Sequence, residues 1–404
     1  MIPSSFRGWR VVRAAFVVAA FGWGVGFYGP PVFLHAVQEG RGWAVTTVST
    51  AVTVHFLVGA AVVANLARLH GHFGVVAVTR AGAVLAALGV VGWAAAPSPP
   101  WLFVATFASG AGWAMTGAAA INAMVSPWFA RRRPAALAMA FNGASLGGVV
   151  FSPLWVALIA AVGFPVAAGL VGAAMIAALW WLAGRHFAVT PDAVGERVDG
   201  EAVDAPARAV RDAPALDGSI WRDRRFRSLA AGSALGLFAQ IGLIAHLLSL
   251  LVPSFGAQGA GLAMGLTTAC AVAGRTALGW TLREGTDRRV ALAANYGVQV
   301  AGSALLLLGS DGHVPLLLAG VALFGLGLGN ATSLPPLIAQ GDFREGDVAR
   351  VVALATAVGQ ATYAFAPTAF GVLREVVPGG EAVFVAAGFV QAIAAWVVTR
   401  GLRA

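Results

Sequence analysis

The stretch VVAVTRAGAVLAALGVVGWAAA, residues 75–96, decides the fold. Apart from Arg80 near its start it carries no charge. An α-helix rises about 1.5 Å per residue, so roughly 20 such residues cross a hydrocarbon core about 30 Å thick. Prolines at 97, 99 and 100 then form a tight turn, and a second apolar run begins at Trp101. Working outward in both directions, segments of the same kind recur. They lie near 11–37, 44–66, 75–96, 101–127, 135–160, 164–184, 228–252, 259–282, 290–309, 314–339, 351–372 and 382–399.

Composition leaves little room for another reading. Hydrophobic residues make up 59% of the 404 and charged residues 11%, and the mean hydropathy is +0.80. A soluble domain carries about 25% charge, and a chain this poor in charge could not cover its own surface in water. Lipid removes that requirement. The 52 glycines fit as well, because small residues let membrane helices approach closely. Cys270 is the only cysteine, which excludes an internal disulfide or a cysteine metal site. The formal charge of +9 comes from 26 arginines without lysine, spread over helix ends. That distribution argues against a nucleic-acid partner.

The one long polar segment, 185–227, holds eight arginines, eight acidic residues and prolines at 191, 206 and 214. It divides the chain into an N-terminal six-helix bundle (1–184), a cytoplasmic linker (185–227) and a C-terminal six-helix bundle (228–404). A short amphipathic helix is expected around 219–227. All but three arginines (Arg41, Arg275 and Arg374) fall on the side that carries both termini. The positive-inside rule makes that side cytoplasmic, so the expectation is a multi-pass inner-membrane protein with both termini in the cytoplasm.

The halves echo each other. Gly112-Trp-Ala-Met-Thr-Gly117 with Asn122 in span 4 answers Gly325-Leu-Gly-Leu-Gly329 with Asn330 in span 10. Gly143-Ala-Ser-Leu-Gly147 with Pro153 in span 5 answers Gly359-Gln-Ala-Thr-Tyr363 with Pro367 in span 11. Parallel repeats of this kind are expected to form two pseudo-symmetric bundles, with a solute site where the repeats meet.

Arg275 is the sharpest chemical signal. It lies in Ala271-Val-Ala-Gly-Arg-Thr-Ala-Leu-Gly-Trp280 and, by these span limits, is the one charged side chain deep in a helix. Placing it there costs at least about 2.5 kcal/mol. No span holds an acidic residue, and a guanidinium is a planar fork matched to a carboxylate. The competing reading is structural: Arg275 lies about 11 Å from the cytoplasmic helix end and could snorkel to it. His35, His55 and His246 sit in or near apolar helices and are candidates for proton coupling, although a lone helix histidine is more often a packing residue. Asn142, Asn295, Gln299 and Gln360 are polar residues whose default role is to tie helices together. Tyr28, Asn122, Tyr296, Asn330 and Tyr363 are the better candidates for substrate contact, with Trp23, Phe27 and Trp113 as an apolar wall. Glycines 24, 26 and 29 with Pro30 and Pro31 are expected to interrupt span 1, and Pro335 and Pro336 span 10. No phosphate-binding loop, catalytic motif, cofactor motif or metal-ligand spacing is present in the sequence.

Several of these stretches resemble the major facilitator superfamily, and within it the branch of monocarboxylate transporters and oxalate:formate antiporters. They are Gly8-Trp-Arg-Val-Val12 and Gly26-Phe-Tyr-Gly-Pro-Pro-Val-Phe33, then Asn122-Ala-Met-Val-Ser-Pro-Trp-Phe129 through Arg131-Arg-Arg133 to Gly143-Ala-Ser-Leu-Gly-Gly148, and Arg275-Thr-Ala-Leu-Gly279. The resemblance implies the twelve-helix all-α major facilitator fold and makes Arg275 the residue that engages the substrate carboxylate. Ala271 stands where proton-coupled carriers of this branch have an acidic residue, and Pro31 where they have a lysine. The loop Arg68-Leu-His-Gly-His-Phe-Gly74 lacks the acidic member of the superfamily motif.

The expected function is therefore transport of a small organic anion, a monocarboxylate first among them, by alternating access, with protons or a counter-anion as coupling partner. Two other readings stay open: efflux of amphipathic or drug-like compounds, and a non-transporting sensor or scaffold. The lack of any acidic residue in the spans weighs against efflux of a cation.

Overall fold

The computed structural model describes residues 6–200, 219–282 and 286–401. Among these residues there are helices and turns but no strand. The chain divides into two compact units, Met1–Pro206 and Ala207–Ala404. The first holds α1 (Gly8–Gly26), α2 (Gly29–Arg41), α3 (Val45–Ala95), α4 (Pro99–Thr116), α5 (Ala118–Val125), α6 (Arg133–Val162) and α7 (Phe164–His186). The second holds α8 (Arg224–Thr281), α9 (Arg288–Leu308), α10 (Val314–Leu328), α11 (Asn330–Asp342), α12 (Glu345–Tyr363), α13 (Ala366–Val376) and α14 (Glu381–Thr399).

Among the described residues, ten helical stretches are long and apolar enough to cross a membrane. Two of them, Val45–Ala95 and Arg224–Trp280, run to 51 and 57 residues. At about 1.5 Å per residue each is more than twice as long as a hydrocarbon core of about 30 Å. Each contains one glycine outside the helical region, Gly74 (φ 79, ψ 156) and Gly256 (φ 67, ψ 169), a conformation that glycine adopts without penalty. Counted as two crossings each, they give the twelve spans expected.

Close approach of helices explains the glycine content. A Cβ on Gly89 would fall on the backbone of Ser109, and one on Gly112 on the backbone of Ala86. Unit 2 repeats the device: a Cβ on Gly302 would meet the backbone of Phe324, and one on Gly325 the backbone of Thr267. Gly89 and Gly302 each press on the span that follows, so that contact repeats between the units, whereas Gly112 meets span 3 and Gly325 meets span 8. Outward-facing positions are apolar: Trp101, Phe107, Trp181, Leu308, Phe389 and Trp396 are all exposed. That surface suits lipid and not water.

Several spans are broken. Span 1 is interrupted at Phe27 and Tyr28, and Pro30 and Pro31 open α2, where a missing N–H costs nothing. Spans 4 and 10 break at corresponding glycines, Gly117 and Gly329. The break in span 10 thus lies before Pro335 and Pro336 and not at them, since α11 runs through both prolines. A proline ring clashes with the carbonyl four residues earlier, so it disturbs the turn that precedes it.

The linker does not fold as the amphipathic helix expected around 219–227. A single turn, Ile220–Arg222, is followed directly by α8. Asp223 separates them because its carboxylate caps α8, accepting from Arg225 N at 2.7 Å and Phe226 N at 3.2 Å. Burial alone would raise the Asp223 carboxyl, but the Arg225 side chain and these two backbone N–H groups outweigh it and hold it below the usual carboxylate range.

The first part of the linker is strapped to unit 1. Asp199, itself buried, accepts backbone N–H bonds from Ala130, Arg131 and Arg132 at 3.1, 2.8 and 3.3 Å. Glu196 accepts from Arg7 N at 2.9 Å. Asp199→Ala should remove roughly 1–3 kcal/mol of this anchoring and speed protease cleavage between residues 192 and 200. Cleavage at the wild-type rate would show that the strap does not hold.

Candidate functional site

In unit 1 the sequence candidates gather around the break of span 1. Tyr28 is buried, with its N–H on Trp23 O at 2.8 Å. His55 reaches the break from span 2: its Nε2 donates to Gly26 O at 2.9 Å, and its Nδ1 meets Ser109 Oγ at 2.8 Å. Trp93 Nε1 also donates to Ser109 Oγ, at 3.3 Å. A hydroxyl both donates and accepts, so the partners of His55 accommodate the ring neutral or protonated. His35, on α2, is half-buried. Asn122 is exposed on α5, with Ser126 Oγ 2.5 Å from its Oδ1.

Rings crowd the same break. Trp23 packs edge-on against Trp113 at 4.8 Å and Phe141 at 6.0 Å, and Phe27 lies 5.0 Å from Tyr28, 6.3 Å from Phe56 and 6.1 Å from Trp113. Trp23, Phe27, Trp113 and Phe141 remain half-exposed. Asn142, next to Phe141 in mid-helix, is exposed too, an unfavourable position against lipid tails.

In unit 2, Arg275 is half-buried on α8. Its Nε points to Gly329 O at 3.4 Å, at the break of span 10. The side chain therefore turns toward backbone in the middle of span 10. Asn330, beside that break, is buried and donates to Asn295 Oδ1 at 3.0 Å. Arg275, Asn295 and Asn330 are thus brought together. Tyr296 is not part of this group: it is fully buried in the unit's apolar core, where a Cβ on Gly236 would strike its ring. Tyr363 closes α12 and is half-buried.

His246 has a fixed tautomer. A guanidinium only donates, so Arg374, 3.2 Å away, requires His246 Nδ1 to accept, while Nε2–H donates to Pro367 O at 3.0 Å. Proton uptake at His246 requires Arg374 to turn away first. The sequence reading had placed Arg374 in an outer loop. It lies instead in the last turn of α13, which runs to Val376, beyond the limit expected for span 11.

Gln299, expected to tie helices together, does so in a buried amide network in unit 2 whose other members were not among the sequence candidates. Gln240 and Gln391 both donate to Gln299 Oε1 at 2.8 Å, and Ser303 donates to Gln391 Oε1 at 3.4 Å. All four side chains are buried, joining spans 7, 9 and 12. Arg289, one of the arginines at helix ends, is 2% exposed.

The sequence pattern that defines the Major Facilitator Superfamily matches residues 14–367. No curated protein sequence matches the chain. Among solved structures, the chain is similar to the crystal structure of a bacterial homologue of the human lysosomal transporter Spinster in an inward-facing and occupied conformation. That likeness has a TM-score of 0.66 at 13% identity, over 97% of this chain and 94% of the other, and it concerns the fold. With two helical units built of long apolar helices and a family match over most of its length, the protein belongs to the Major Facilitator Superfamily and is a membrane transporter, not an enzyme.

Proposed function

We propose that the chain carries a small organic anion, a monocarboxylate in the first instance, by alternating access of its two units. In this reading Arg275 binds the carboxylate, and the termini lie in the cytoplasm, as the arginine asymmetry favours. The observation that carries the reading is the direction of Arg275. A snorkelling arginine extends toward the headgroups, whereas this one turns to the carbonyl at a helix break in mid-span. Intramembrane charge that faces the protein interior marks substrate pathways, and a guanidinium fork suits a carboxylate. The substrate must partly neutralise the arginine before the site can close, because an uncompensated charge is costly to desolvate.

Coupling falls to a histidine, to exchange or to uniport. Of His55 and His246, His55 has the partners more tolerant of a proton. The half-exposed rings of unit 1 also keep the efflux reading alive, since such a wall suits an amphipathic molecule.

Uptake by purified protein in liposomes tests both, with labelled lactate, pyruvate, acetate, oxalate and benzoate supplied with and without a pH gradient. At least one monocarboxylate is expected to accumulate. Dependence on the gradient would identify proton coupling, and trans-stimulation by internal anion would identify exchange. If none of the five anions moves, the carboxylate reading falls and efflux replaces it.

A further inference from the structure

The break of span 10 is built by side chains as well as by glycine. Asn330 opens α11 with its Nδ2 shared between Asn295 Oδ1 at 3.0 Å and Leu326 O at 3.3 Å. Asn295 in turn donates to Gly327 O at 3.0 Å. Leu326 and Gly327 belong to the last turn of α10, where a helix leaves carbonyls without partners of its own. Two asparagines from neighbouring spans thus hold the end of α10 where it stops. The carbonyl just beyond, Gly329 O, gathers Thr332 Oγ1 at 3.3 Å, Ser333 Oγ at 3.1 Å and Arg275 Nε at 3.4 Å.

Gly329 adds a steric condition. A Cβ there would stand 2.6 Å from Ala271 O and 3.1 and 3.2 Å from two guanidinium nitrogens of Arg275. The backbone at Gly329 is helical (φ −67, ψ −27), so alanine would suffer no conformational strain. Its methyl would press on Arg275 and the helix that carries it.

We propose that Asn295, Asn330 and Gly329 are positioning residues that aim Arg275: the asparagine pair fixes the break, and the bare backbone at 329 receives the guanidinium. This rests on the reading of Arg275 as the carboxylate-binding residue. A long flexible side chain binds well only when its resting direction is set in advance. Loosening the break returns Arg275 to the orientations it would otherwise sample, including the headgroup side.

The test uses the full chain in liposomes with the same five labelled anions. Asn330→Ala, Asn295→Ala and Gly329→Ala are each expected to raise KM by about tenfold, the scale of one hydrogen bond to a charged group, with maximal rate changed less than KM. A purely structural role would lower the rate in any background. Acting through Arg275, Asn330→Ala should instead change KM by less than about twofold when added to Arg275→Lys, because coupled residues are not additive. A second measurement needs no anion: hydrogen exchange over residues 324–336 should accelerate in Asn330→Ala and stay unchanged elsewhere in unit 2. If the three alanine variants keep wild-type KM while Arg275→Ala abolishes uptake, the positioning inference fails and the carboxylate reading stands. Unchanged exchange over 324–336 also overturns it. If Arg275→Ala transports normally, or no anion moves, the carboxylate reading fails and takes the positioning role with it.

Discussion

Arg275→Ala is expected to reduce uptake of the transported anion to the background of empty liposomes. A carboxylate seated on a guanidinium makes two charge-assisted hydrogen bonds, each worth about 1.5–3 kcal/mol in a protected site. Losing both corresponds to a factor of at least about 100 in binding. Arg275→Lys should fall between, because an ammonium keeps the charge but offers a point where the carboxylate meets a fork. The folded protein should not suffer. Removing a charge that is costly to hold in the membrane is often neutral or stabilising, so the alanine variant is expected to melt at or above the wild-type temperature in detergent. Lost uptake with retained stability would therefore assign Arg275 to the substrate. Wild-type uptake in Arg275→Ala would sink the assignment, and uptake lost together with the fold would show that the arginine is structural.

Much of the architecture was legible because it is written in residue types with few alternatives. Apolar length gave the spans. What remained hidden depends on where neighbouring helices present their backbone. Nothing in the sequence near Asn330 separates a residue that touches substrate from one that braces a helix end, and its partner Asn295 lies in another span. Tyr296 follows Asn295 directly, yet the helical turn sends it into the core against Gly236. His246 shares with Arg374 the nitrogen that would take up a proton, a pairing between two spans that no local pattern announces. Arg275 was identifiable at once because its cost in an apolar helix does not depend on its partners. The direction of its side chain, on which the substrate-binding proposal rests, was not.

Arg289→Ala should have the largest effect on stability. The guanidinium spans four helices. Nε lies 2.8 Å and one terminal nitrogen 2.7 Å from Asp342 Oδ2 at the end of α11. Arg225 O and Ser228 Oγ, at the start of α8, accept at 2.8 and 3.0 Å. Val398 O, in the last turn of α14, accepts at 2.9 Å. Its own backbone N–H is capped by Asp287 at 2.8 Å, which fixes the root of the side chain at the start of α9. Spans 7, 9, 10 and 12 are therefore joined through one buried cation. Cutting the side chain to a methyl strands a half-buried carboxylate and carbonyls turned away from water. Breaking a buried pair in this way costs about 3–5 kcal/mol, or a drop of about 10 °C at the roughly 2–4 °C per kcal/mol typical of a unit this size. Lysine cannot replace it, since three donors on a point cannot reach the partners that a planar fork spans. Arg288→Ala is the control: one bond, to Leu337 O at 2.6 Å, should be worth about 1 kcal/mol. Thermal denaturation in detergent decides the matter, and an Arg289→Ala midpoint within about 2 °C of wild type, less than the loss of 1 kcal/mol would give, would refute the assignment. Below its midpoint the same variant should keep the wild-type KM for the transported anion. The charge that holds unit 2 together at Arg289 and the charge offered to substrate at Arg275 would then be separable by experiment.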